Sequence, residues 1–268
     1  MPVSPSTAPA PPVAPVPPAT DRGSVLGRLA LTELKLFVRE RVGPAFAIGL
    51  PLALLVVFGN LPFYNEHRAN LDGYTLLDVY VPILSAFVLA MLSFSVMPQV
   101  LAGYREKGVL RRLRTTPVGP ARVLAAQLLV NLATAAVSVA ALLLVARFAF
   151  GVALPRRPGG YLISIALTAL ALLAIGLFVA AASPNGRIAN AAGATLFYVM
   201  MFFAGLFLPI AAMPALLRHI SRAAPLGAAV QALTDATEGH SPHPLQLLTL
   251  AAYAVVFGAA AVRSFRWE

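Results

Sequence analysis

Residues 104–120 hold the densest chemistry in the chain: Arg105, Lys107, Arg111, Arg112 and Arg114, with Glu106 among them, surround the apolar Val109, Leu110 and Leu113. Long cationic side chains around a short apolar strip suit a helical wedge that seats in a groove of an acidic protein surface. Gly108 and Pro117 bracket the wedge, Thr115 or Thr116 can cap its turn, and Pro117 and Pro120 stiffen the entry to the next apolar run. A simple anchor of positive charge would account for the cations but not for the apolar strip.

Other chemistries lack their parts. Gly103 and Gly108 have the spacing of phosphate-loop glycines, but Val109 stands where that loop needs its lysine. His67, His219, His240 and His243 form no cluster with carboxylates on one helix face, so no metal site is expected. The serines have no paired base and no elbow sequence, and the chain has no Cys to serve as nucleophile, thiolate ligand or disulfide. The formal charge of +10 comes from cations lying between apolar runs, where they serve topology and headgroup attraction. No basic stripe is interleaved with exposed aromatics, so nucleic acid is not an expected partner.

The elements that must position the wedge are membrane spans. Of 268 residues, 59% are hydrophobic and 11% charged, with a mean hydropathy of +0.81, which places the chain in a lipid bilayer. Six apolar runs, at 44–63, 79–102, 123–146, 161–182, 188–209 and 244–262, each approach the roughly 20 residues a bilayer requires. None has an interior Lys, Arg, Asp or Glu, and none alternates with period two, so helices rather than a barrel are expected. Fourteen of the twenty cations fall on the side that holds both termini and the wedge, which sets that side as cytoplasmic. The expected fold is therefore all-α: six transmembrane helices preceded by an amphipathic interfacial helix, with a cytoplasmic helix between spans two and three.

Residues 1–23 read as a disordered proline-rich tail, and 24–268 as a single six-span unit. In the interfacial segment 24–41, Leu26, Leu29, Leu34 and Phe37 share one side, which Glu33 and Glu40 interrupt, opposite Arg28, Lys35 and Arg39. Outside, residues 210–243 carry two apolar helical repeats broken by Pro214 and Pro225, which predicts short helices resting on the outer surface or dipping partway in. Pro51 and Pro98 predict kinks in the first two spans. Gln99, Asn131, Asn190, Tyr198 and Phe202 suit either the lining of a pathway or contacts between helices, and small Ala189 and Gly193 permit close helix approach, as in a dimer.

At the wedge the sequence resembles the permease subunits of type 2 ATP-binding cassette transporters. Their loop between the second and third spans reads arginine, glutamate, x, glycine, x, leucine, then leucine and threonine-proline; here Arg105, Glu106, Gly108, Leu110, Leu113, Thr116 and Pro117 stand in register. Glu33, Arg39, Pro51, Gly59, Pro225, Gly239 and the closing Phe265-Arg266-Trp267 fit as well. The resemblance implies that the wedge, with Arg112 and Arg114, is a coupling helix docking on a separate ATPase. Two permease copies and two ATPases would form an exporter in a bacterial plasma membrane, of the drug-efflux kind or one moving lipid or lipid-linked glycan. It also implies no cofactor in this chain, with ATP and Mg held by the partner. An ion-coupled transporter would need carboxylates within the spans, and none is there.

Overall fold

In a computed structural model the described residues are 42–66, 74–106, 108, 120–208, 210 and 213–264, and among them there is no β-strand. The expected tail at 1–23, the interfacial helix at 24–41 with Glu33 and Arg39, and the closing Phe265-Arg266-Trp267 lie outside the described residues. The helices are α1 (Val42–Asn60), α2 (Pro62–Asn65), α3 (Leu76–Met91), a π-helical segment (Leu92–Val96), α4 (Met97–Glu106), α5 (Pro120–Phe150), α6 (Pro158–Ala182), α7 (Gly186–Phe203), α8 (Ala215–Ala223), α9 (Pro225–Glu238) and α10 (Pro244–Ser264).

Four stretches among the described residues are long and apolar enough to cross a membrane: Leu76–Tyr104, Leu124–Phe150, Pro158–Ala182 and Pro244–Ser264. The expectation of six is met at four. α1 contributes a shorter apolar stretch, Phe46–Asn60, and α7 ends at Phe203 rather than at the expected 209. Gly205 stops α7. It takes φ +89°, and beside it Gly205 N–H donates to Phe202 O at 3.2 Å and Leu206 N–H to Met201 O at 3.3 Å. This pairing closes a helix end on a left-handed residue, the role that glycine fills at least cost.

α3, the π segment and α4 form the second span and run through the middle of the molecule. Of its most apolar window 78% is buried, against 11% for α10, so the second span is enclosed by its neighbours while the last presents Val255, Val256 and Val262 outward. α3 begins with a reciprocal cap: Thr75 Oγ1 accepts from Asp78 N–H at 3.2 Å, and Asp78 Oδ2 accepts from Thr75 N–H at 2.8 Å. The short helices expected within 210–243 form as α8 and α9. In α9, Leu226, Val230, Leu233 and Ala236 are buried in the core against α3, α6, α7 and α10.

The expected kink at Pro98 takes a particular form. Met97 N–H donates to Leu92 O, the π register. The next residue, Pro98, has no N–H to give to Ser93 O in that register or to Phe94 O in the α register. Those two carbonyls are the ones that meet glycines on other helices. A Cβ on Gly176 of α6 would strike Ser93 O, and a Cβ on Gly193 of α7 would strike Phe94 O. Glycine at both sites lets a Cα–H approach a carbonyl that proline has left without its usual donor. Gly193, with Ala189, is buried within the chain, so these small residues serve packing inside one copy and are not open to a second.

A buried polar chain ties α6 to α3: Tyr161 Oη donates to Ser85 Oγ at 2.8 Å, and Ser85 Oγ donates to Val81 O at 2.9 Å. Tyr161→Phe removes one bond and leaves Ser85 satisfied. It should therefore cost only about 1 kcal/mol, read as a small fall in the melting temperature of the detergent-solubilised protein.

Candidate coupling site and pathway

The motif that begins at Arg105 starts inside α4, whose last residue is Glu106. Gly108 follows with φ +63°, and among the described residues, its chain neighbours aside, no atom lies within 4 Å of where a Cβ would be. Glycine is needed there for its backbone angle, not for lack of room. Leu110, Arg112, Leu113, Arg114, Thr116 and Pro117 lie outside the described residues, which resume at Pro120, the start of α5. With 31 residues, α5 reaches about 47 Å at roughly 1.5 Å per residue, so it extends well beyond a hydrocarbon core of about 30 Å.

Glu106 has a partner within the chain that sequence reasoning did not find. Its Oε1 accepts from Gly186 N–H at 3.2 Å, the first helical residue of α7. Asn185 caps the same turn, its Oδ1 accepting from Ile188 N–H at 2.9 Å. The first amides of a helix have no partner within it and carry its positive pole; here one is met by the N-cap and another by an acidic side chain from the neighbouring span. A cavity of ≈ 210 Å³ opens at this corner, lined by Ala102, Glu106, Ala180, Ser183, Asn185 and Ala189 among others.

The five pathway candidates differ in exposure. Gln99 on α4 and Asn190, Tyr198 and Phe202 on α7 are exposed. Asn131 is buried on α5, in a stripe with Gln127, Thr134 and Ser138 at helical spacing. Asn131 Nδ2 donates to Gln127 O at 2.9 Å, which directs its Oδ1 away; that oxygen and Gln127 Oε1 are buried with no partner among the described residues. On α7, Phe197 turns inward onto Phe87 (centroids 5.3 Å apart) while Tyr198 beside it faces out. At the far end, Tyr80 Oη donates to Leu206 O at 3.3 Å, and Phe58, Tyr64 and Tyr80 pack their rings together. This cluster joins α1, α3 and the turn after α7.

Helices of spanning length, an enclosed second span, and a basic motif directly after it define a polytopic α-helical membrane protein. The ABC-2 type transporter family profile matches residues 25–237, from the segment before α1 through all but the last residue of α9. The chain belongs to the ABC-2 type transporter family. No individual curated protein matches it.

Proposed function

We propose that this chain is the six-span permease of an ATP-driven exporter, moving a hydrophobic or amphipathic compound out of the cell with a separately encoded ATPase. On this reading α1 and α7 complete the six spans, both termini lie in a bacterial cytoplasm, and the Arg105-to-Pro117 motif makes the coupling contact. Two copies of the permease pair with two ATPases. ATP closes the ATPase dimer, and the spans follow only insofar as their two arrangements bind that dimer differently.

The family match, with the Arg105-to-Pro117 motif in register from the last turn of α4 onward, is the observation that carries this reading. The exposed face of α7 supports the substrate class: Asn190, Ala194, Thr195, Tyr198 and Phe202 offer aromatic surface and neutral polar groups, with no charge among them. The test is to purify the chain with the candidate ATPase in nanodiscs or vesicles. Vanadate-sensitive ATP hydrolysis and ATP-dependent movement of lipophilic cations or drugs are the expected results. A chain that binds no ATPase, or moves such compounds on an ion gradient alone, would overturn the reading.

A further inference from the structure

We propose that Glu106 is a positioning residue that ties the coupling segment to the fifth span, so that α4 and α7 move as one body when the ATPase acts. This deepens the reading above and rests on it. α4 is held by packing on α6 and α7, and along α7 the contact runs over two turns of small residues, Gly186, Ala189 and Gly193. At one end Phe94 O lies against Gly193, with Pro98 alongside. At the other, a Cβ placed on Gly186 would lie 3.0 Å from Ala102 Cβ and 2.8 Å from Glu106 Oε1. At Gly193 the neighbour is a main-chain carbonyl and at Gly186 it is the short Ala102 side chain with the Glu106 carboxyl group, so little slack separates α4 from α7.

Glu106 completes that contact at the end where force would enter. It is the final residue of α4, two positions before Gly108, and its bond to Gly186 N–H adds direction to a packing contact that is otherwise apolar. The cavity beside it leaves this corner less filled than the π-segment end. A polar tie is thus most needed here. Glu106 is the last described residue of α4 before Gly108 and its left-handed φ, so on this reading displacement of the coupling segment is felt first at Glu106.

The permease with its ATPase in nanodiscs tests this by hydrogen exchange, with and without MgATP and vanadate, which requires no transported compound. In the wild-type complex, exchange in α4 and in residues 186–193 should change together on adding nucleotide. Glu106→Ala should shrink the α7 change about tenfold relative to that in α4, compared in complexes that retain the ATPase. Glu106→Gln should behave as wild type, because its amide oxygen can still accept from Gly186. The tie is overturned if the α7 change survives in Glu106→Ala, if Gln is as damaging as Ala, or if α7 of the wild type does not respond. Loss of the ATPase from Glu106→Ala alone would move this residue into the partner contact, overturning the tie but not the transporter. Failure of the wild-type chain to hold any ATPase would remove the transporter reading, and the tie with it.

Discussion

Gly193→Leu and Gly176→Leu are each expected to leave little or no folded protein in the membrane. At both sites the atom in the way is a main-chain carbonyl oxygen of the π segment, Phe94 O or Ser93 O, not the end of a side chain that can swing aside. Overpacking a core typically costs about 1–3 kcal/mol even when neighbours can adjust, and here α6 or α7 must move bodily off the second span. Separation would also strip Ser93 O and Phe94 O of the Cα–H approach that covers them, with Pro98 unable to supply a donor and no water in the hydrocarbon to replace it. Against a typical total stability of about 5–15 kcal/mol, either change is enough to unfold much of the population. Gly258→Ala is the control: nothing lies within 4 Å of its Cβ position, it sits inside α10, and it should gain up to about 1 kcal/mol. Size-exclusion profiles of detergent extracts after graded heating would check all three, and a Gly193→Leu protein as heat-stable as wild type would refute the packing argument.

These two glycines also show where the sequence stops being informative. Pro98 announces a kink by itself, because a proline within an apolar helix leaves a carbonyl without its donor wherever it stands. Which carbonyls are left bare depends on the π register, and which helices cover them depends on the packing of α6 and α7, so Gly176 and Gly193 cannot be matched to Pro98 by spacing. Gly193 therefore suggests a dimer contact when read alone, and proves to face the second span of its own chain. Gly205 is a different case. The glycine after Phe202-Phe203-Ala204 is a local stop signal of the ordinary kind, and the apolar residues on either side hide it from a reading based on hydropathy. The short helices α8 and α9 are legible because Pro214 and Pro225 mark their starts, whereas the burial of α9 is not, since it depends on what packs around it. At the candidate site, the glycine of the motif is explained by its backbone angle. The partner of Glu106 lies 80 residues away along the chain, and no local pattern points to it.

Reversing both Arg112 and Arg114 to Glu is expected to abolish ATP-dependent transport and release the ATPase while the permease still inserts normally. If these guanidinium groups face an acidic groove, each reversal turns attraction into like-charge opposition, which costs several kcal/mol when desolvated; at about 1.4 kcal/mol per tenfold, the pair should weaken docking by a hundredfold or more. Topology should survive, since on the proposed orientation the two reversals leave twelve of the fourteen cations expected inside against six expected outside, still a clear bias. Gly108 supplies an independent lever on the same contact that leaves all charges in place. With φ +63° and open space around its Cβ position, it should penalise residues by backbone preference rather than size. Gly108→Asn, which tolerates the left-handed region, should keep most activity. Gly108→Val, β-branched and of similar bulk, should strain the turn by at least about 1–2 kcal/mol and uncouple transport from hydrolysis. Co-purification of the ATPase, vanadate-sensitive hydrolysis and dye efflux measured on the same membranes separate the two effects: charge reversal loses the partner, and the valine keeps it while losing the work. A valine variant that transports as well as the asparagine one would mean that the turn at Gly108 does not orient the coupling segment.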